Sequence, residues 1–222
     1  MPPPPPQTWT RQIRIQDDGS SEYTLTYTIS TDPGNIDLDA VDAAFRSDVT
    51  YWAKPASSRE ALRTMVEHSF CFGLFARTEE EKNGEADGRL GYPSCVRENG
   101  CGAPQSAPLG EMIGFARLVT DYTTFAYLTD VYVLPAHQGR GLGKWLIRCI
   151  NELLSSWPDL RRCILFTRGE QAVRMYAREL EARSAAETDA GLVLMEKAGM
   201  GAVRYGGEKE NGVEGGKGKG EV

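Results

Sequence analysis

The stretch Asp130–Trp145 (DVYVLPAHQGRGLGKW) limits what this chain can fold into more than any other. Val131, Tyr132 and Val133 favour an extended backbone. Pro135 has no N–H to give a ladder, so it ends the strand. From Gln138 to Gly143 every second position is glycine, and an amphipathic helix follows. A strand, a glycine turn and a helix together make a site for an anion. The first N–H groups of the helix lack intrahelical acceptors, and its dipole favours negative charge at that end. Glycine lets a phosphate approach the backbone with no Cβ in the way.

Composition narrows the partners. With 222 residues the chain suits one domain with a substantial core. A net charge of −6 argues against non-specific nucleic-acid binding and is compatible with a cationic substrate such as an amine. No apolar run approaches ~20 residues, so no membrane span is expected. The N-terminus carries prolines where a secretory signal would be basic and then apolar. Cys71, Cys95, Cys101, Cys149 and Cys163 are an odd count with no C-x-x-C, which suggests free thiols in a reducing compartment. The expectation is therefore a cytoplasmic protein, with the nucleus also open, acting as a monomer or homodimer. Cys95 and Cys101 could form a redox pair. His68 and His137 are the only histidines, so no metal site is expected.

Residues 1–20 open with five prolines, stay polar and read as a flexible lead. Residues 21–205 read as one domain. Ser21–Ser30 alternates as a strand, Thr31–Asn35 is a turn, and Asp37 caps a short helix. Ser57 and Glu60 have the spacing of a capping box for a second helix. Phe70–Ala76 reads as a buried strand. Residues 77–108 are a polar insertion, either exposed and disordered or a lid or partner loop. Leu109–Thr120 and Phe125–Val133 are joined by Asp121–Thr124, a turn short enough for an antiparallel hairpin. After the glycine turn, Leu142, Trp145, Leu146, Cys149, Ile150, Leu153 and Leu154 form a helical stripe. Arg162–Thr167 is a strand placed parallel to the one before the turn. Gln171–Arg183 is a further helix, Gly191–Lys197 a last strand or helical turn, and 206–222 a disordered tail. The order implies an α/β fold with a mixed sheet.

The glycine turn is not a nucleotide P-loop. Trp145 follows Lys144 where Ser or Thr is needed, and Gln138 holds the earlier glycine position. Nor is it a dinucleotide fingerprint, because Lys144 stands at the third glycine. Gln138-Gly139-Arg140-Gly141-Leu142-Gly143 instead resembles the acyl-coenzyme A loop, Q/R-x-x-G-x-G/A, of the GCN5-related N-acetyltransferase (GNAT) superfamily. The resemblance extends over roughly Tyr23 to Lys197. Gly114–Tyr122, Tyr51-Trp52 and Glu67-His68-Ser69 are similar to small single-domain members of unassigned substrate. It implies a mostly antiparallel, twisted sheet with flanking helices, and acetyl-CoA as co-substrate.

The resemblance also implies a set of roles. The N–H groups of Gly139 to Lys144 would hold the pyrophosphate, with Arg140 and Lys144 adding charge. The backbone of Val131, Tyr132 and Val133 would pair with the pantetheine arm, and an N–H near Val131 would stabilise an oxyanion. Asp130 is the candidate base for a primary amine attacking directly in a ternary complex, with His68 second. Asp121 suits a turn. Tyr176, in Ala172-Val173-Arg174-Met175-Tyr176, resembles the family tyrosine that protonates the leaving thiolate. The Gly-aromatic ending usual after it is replaced by Leu180-Glu181-Ala182, and a competing alignment puts Met195 there. Tyr27, Tyr51, Trp52, Tyr122 and Tyr127 are candidates to line an amine pocket. Two other readings stay open: a non-catalytic acyl-CoA sensor or scaffold, and an acyltransferase for another acyl-CoA.

Overall fold

In the computed structural model, which describes residues 3–16, 22–79 and 109–184, six strands form one sheet in chain order. They are β1 (Thr8–Gln16), β2 (Glu22–Ser30), β3 (Phe70–Glu79), β4 (Glu111–Thr120), β5 (Phe125–Val133) and β6 (Arg162–Leu165). β1 through β5 pair antiparallel, and β6 pairs parallel to β5. Helices α1 (Leu38–Phe45) and α2 (Arg59–Glu67) connect β2 to β3. Helix α3 (Leu142–Ser155) is the crossover from β5 to β6, and α4 (Glu170–Glu179) follows β6. The parallel pair requires this crossover, and the antiparallel hairpin of β4 and β5 requires only its short turn.

Each face of the sheet is covered by its own helices. On one face Tyr27, Phe72, Leu74, Ile113, Leu118 and Leu128 pack beneath α3. On the other, Cys71, Phe75, Met112, Phe115 and Tyr132 pack beneath Val41 and Phe45 of α1 and Leu62 and Val66 of α2. The stripe on α3 is buried as its period requires, with Ile147 joining Leu146 and Ile150 at full burial and Trp145 left at the margin. Each such side chain contributes about 1.5–3 kcal/mol by leaving water.

Several boundaries differ from the sequence expectation: α4 ends at Glu179, short of Arg183, β6 ends at Leu165, short of Thr167, and three others bear on the fold. The lead is not flexible throughout, because Thr8–Gln16 is β1. Its half-buried Trp9, Ile13 and Ile15 pack at the margin of the α3-side core, and the Trp9 indole donates to Glu152 of α3 at 3.1 Å. Its alternation is weak because an edge strand buries little, and Arg11 and Arg14 fall on it. The cap of α2 is Ser58, not Ser57: its hydroxyl accepts from the Ala61 N–H at 3.1 Å. β3 runs on to Glu79, past the expected start of the insertion at 77. The expected cap at Asp37 is present. The rest of the insertion from 80, Cys95 and Cys101, the expected element at Gly191–Lys197 with Met195, and the tail from 206 lie outside the described residues. Among the described residues no helix is long and apolar enough to cross a membrane.

Candidate active site

The site begins where two parallel strands part. β5 pairs with β6 only from Phe125–Leu128 against Arg162–Leu165. β6 ends there, while β5 continues to Val133. From Thr129 onward, the edge of β5 that faced β6 has no ladder partner among the described residues. Backbone groups on such an edge are a template for another extended chain.

Within that free length β5 carries a bulge. Arg117 pairs with Thr129 and Phe115 with Tyr132, so Asp130 and Val131 together oppose Ala116. Asp130 has φ +55°, in the left-handed region. Strict alternation would put residue 132 on the same face as Ala126 and Leu128. Those two lie in the α3-side core, whereas Tyr132 lies in the α1–α2 core and Val131 and Val133 pack at the α3-side margin. The bulge has reversed the parity of the strand's last turn.

A buried ion pair holds it. Asp130 is 6% exposed. Its Oδ2 accepts from Arg117 Nε at 2.7 Å and lies 2.7 Å from Nη2. Its Oδ1 accepts from the Thr129 hydroxyl at 3.3 Å. Arg117 Nη1 also donates to Ser69 Oγ at 3.1 Å, and Ser69 donates to the Met65 carbonyl at 2.8 Å. The bulge is thereby tied to the end of α2. A left-handed backbone at a non-glycine residue costs about 1–3 kcal/mol and persists only when its surroundings fix it. Asp130 thus arrives with its carboxylate already committed, which the sequence expectation of a free general base did not foresee.

At the end of β5 the chain passes through a short 3₁₀ turn, Pro135–His137, into the glycine turn. Gln138 Nε2 donates back to the Val133 carbonyl at 2.8 Å. Gly139 and Gly141 have φ of +78° and +75°, which a side chain would strain. Gly141 is the N-cap of α3 and offers no side-chain acceptor, so the first N–H groups of the helix stay uncapped. A Cβ built on Gly139, Gly141 or Gly143 would meet nothing within 4 Å among the described residues. These donors therefore face open space, with Leu142 buried behind them and Lys144 exposed in the first turn. That arrangement fits an anionic group.

Arg140 does not point freely into that space. Its Nη1 donates to the Tyr27 hydroxyl at 2.6 Å and lies 3.1 Å from His137 Nδ1. The Tyr27 hydroxyl is 3.2 Å from the same nitrogen. An Arg N–H can only donate, so Nδ1 must be unprotonated to accept. Burial and then the Arg140 charge lower the His137 pKa, against the opposing effect of Glu111. Tyr27 is 0% exposed, so it belongs to the core and braces the turn rather than lining an amine pocket.

The other expected residues scatter. Tyr51 is 57% exposed and meets Trp52 edge-on at 5.0 Å, beside the short helix Asp48–Thr50 that lies against β5. Tyr127 meets Phe166 at 5.8 Å, where β5 and β6 are still paired. Tyr122 packs between Phe70 and Trp157 at the hairpin turn, away from the parting strands. His68 is exposed and bonds its own helix through Nδ1 to the Thr64 carbonyl at 2.8 Å. Asp121 accepts from the N–H groups of Thr123, Thr124 and Phe125 and from the Thr124 hydroxyl, which holds its pKa well below the usual carboxylate range. Tyr176 is half-buried on α4 against the α3-side core, and burial pushes its pKa to about 12. Helix α4 is held to α3 by Arg148, which donates to Glu179 at 2.6 Å. Burial raises the Cys71 and Cys149 thiols to about 12 and Cys163 to about 11, so none is a ready nucleophile. Arg117, Ser69 and His137 were not expected as site residues. A lone Arg in the apolar run of β4, opposite an Asp in β5, was the signal available.

Comparison with known proteins agrees with this geometry. The profile of the Acetyltransferase (GNAT) family matches residues 59–181, from the start of α2 to just past α4. A Gibberella zeae protein named "Putative acetyltransferase FG08082" is 37% identical over 162 residues, 73% of this chain and 76% of that one. The crystal structure of a GNAT-family protein from Xanthomonas campestris pv. campestris superposes with a TM-score of 0.50 at 30% identity, covering 79% of this chain and 94% of the other. A sheet whose parallel strands part before a glycine turn defines an acyl-transfer fold, and the chain belongs to the GNAT acetyltransferase family.

Proposed function

We propose that this protein is an acetyl-CoA-dependent N-acetyltransferase acting on a primary amine by direct attack in a ternary complex. The observation that carries this reading is the unpaired edge of β5 running into an uncapped helix N-terminus. An extended arm ending in a pyrophosphate needs both features, in that order. Gly139, Gly141, Gly143 and the first N–H groups of α3 would hold the phosphates, with Lys144 alongside. The edge at Val131, Tyr132 and Val133 would hold the arm. The co-substrate supplies an acyl group activated as a thioester.

In the transfer, the amine nitrogen forms the new C–N bond and the C–S bond breaks. The N–H of Val131, set by the bulge, is the candidate oxyanion donor. Asp130 acts through position: its carboxylate is used on Arg117, so the proton lost by the amine goes to water at the open edge. Tyr176, protonated at neutral pH, supplies the proton the sulfur needs and is recharged from water.

The test is thiol release from acetyl-CoA over a panel of amines, run beside coenzyme binding by thermal shift. Coenzyme-dependent stabilisation with amine-dependent thiol release is expected. Binding without turnover on any amine would give the sensor reading, which the engaged carboxylate of Asp130 favours. Turnover only with a bulkier thioester would give another acyl donor.

A further inference from the structure

On the α3 side of the sheet, Tyr27 of β2, Ala76 of β3 and Glu111 of β4 stand in one cross-strand row. His137, from the turn after β5, meets this row. Its ring approaches the Tyr27 ring edge-on at 5.8 Å, its Nδ1 lies 3.2 Å from the Tyr27 hydroxyl, and the Glu111 carboxylate favours its charged form. Arg140 completes the group at 3.1 Å from the same Nδ1. Among the described residues, then, His137 is faced by Tyr27 from β2, Glu111 from β4 and Arg140 from the glycine turn.

Nδ1 of His137 is oversubscribed. A neutral imidazole nitrogen has one lone pair, and two donors, Arg140 Nη1 and the Tyr27 hydroxyl, stand within 3.2 Å of it. Once protonated, Nδ1 becomes a donor and can give its N–H to the Tyr27 oxygen. Arg140 would then face a second cation at hydrogen-bond distance with no acceptor on it. Two arrangements are therefore self-consistent: a neutral His137 with Arg140 clamped, or a charged His137 with Arg140 released. Glu111 supplies the counter-charge for the second. The clamp holds Arg140 by one nitrogen only, on neutral acceptors. A phosphate takes two parallel N–H bonds from an arginine, and charge-assisted bonds are the stronger kind. Arg140 stands between Gly139 and Gly141, in the turn that opens onto free space.

We propose that His137 is a positioning residue for the coenzyme: while neutral it holds Arg140 on Tyr27, and it takes a proton from solvent when Arg140 moves to a bound pyrophosphate. The proposal rests on the coenzyme reading above. Protonation of His137 and coenzyme binding then strengthen each other by the same factor. In the ligand-free chain, burial and the Arg140 charge keep the histidine neutral, and a bound pyrophosphate would reverse the second of these influences.

The test is calorimetric titration of the full chain with dephospho-coenzyme A, whose pyrophosphate has no group titrating near neutral pH. Runs in buffers of different ionisation enthalpy count the protons taken up. Net uptake is expected near neutral pH, with binding at least about threefold tighter at pH 6 than at pH 8. His137→Gln keeps an acceptor for Arg140 but takes no proton, so it should bind with no uptake and no pH dependence. The remaining histidine, His68, bonds its own helix at the end of α2 and should contribute nothing. Glu111→Gln removes an exposed counter-charge, so uptake should move to lower pH; this keeps the test valid should His137→Gln misfold. Binding without proton uptake, or uptake indifferent to both variants, overturns the proposal and leaves the coenzyme reading standing. No binding at any pH overturns both.

Discussion

β5 is held at two points by two polar clusters of opposite design. At its bulge, Arg117 and Asp130 form a buried ion pair with Ser69 as third partner. Past its end, Tyr27, His137 and Arg140 form a half-buried group in which one cation is held by two neutral acceptors. The first couples opposite charges and fixes a strained backbone. The second holds a positive charge beside a histidine that must stay neutral. The comparison separates two jobs: a charge pair that sets where the strand's groups point, and a neutral clamp that fixes the arginine of the glycine turn.

The largest effect should come from breaking the pair. Arg117→Met leaves the Asp130 carboxylate buried and alone, and should cost about 3–5 kcal/mol in chemical denaturation. Replacing both residues with apolar ones should recover much of that stability, though not the bulge. A loss no greater than that of an exposed substitution would show that the pair does not hold the strand. Asp130→Asn sharpens the same point through catalysis. If Asp130 positions, kcat falls while the pH profile of kcat/KM keeps its shape. If it is the base, the acidic limb of that profile disappears.

Tyr176→Phe should lower kcat by about 10²-fold with coenzyme binding unchanged. An unchanged rate would remove the acid role from α4, which neither polar cluster supports directly.

Tyr27→Phe should cost about 1.5–3 kcal/mol, the worth of a hydrogen bond to a charged group. It should also alter coenzyme affinity by freeing Arg140. If stability drops and affinity does not move, the clamp is structural only.

The smallest effect should be the pH response of the clamp. The folded pKa of His137 lies below its unfolded value of about 6.5. Below that pH the unfolded chain binds more protons, so stability falls as pH drops through the window beneath about 6.5 and is fully present above it. Thermal midpoints from pH 7.5 to 5.5, compared with His137→Gln, would read this. An equal fall in both proteins would assign it to other groups.

The features legible in the sequence share one property: each is periodic or local. The stripe from Leu142 to Leu154 specified α3 because its 3.6-residue period is fixed by backbone geometry. The four residues Asp121–Thr124 specified the hairpin, and Asp121 does hold that turn. Gly139 and Gly141 marked the positive-φ positions of the glycine turn. β1 was missed because an edge strand packs against only one neighbour, so its sequence carries half a signal. Tyr27 was misplaced because a tyrosine on an alternating strand looks the same whether its hydroxyl meets solvent, substrate or an arginine from residue 140.

The sequence by itself determined the order of elements from β2 onward, the parallel crossover through α3 and the glycine turn at its head. Those follow from steric and hydrogen-bonding rules acting over a few residues. Only the tertiary structure decided what β5 does with them. The bulge at Asp130 depends on Arg117 arriving from the next strand and Ser69 from the end of α2, contacts separated by up to 48 residues within one hydrogen bond. By inserting one extra residue it turned Tyr132 toward α1, where a pocket lies, and Val131 and Val133 toward the other face. Alternation along a strand can be read from the sequence alone. A reversal of that alternation is fixed by residues brought together from distant parts of the chain.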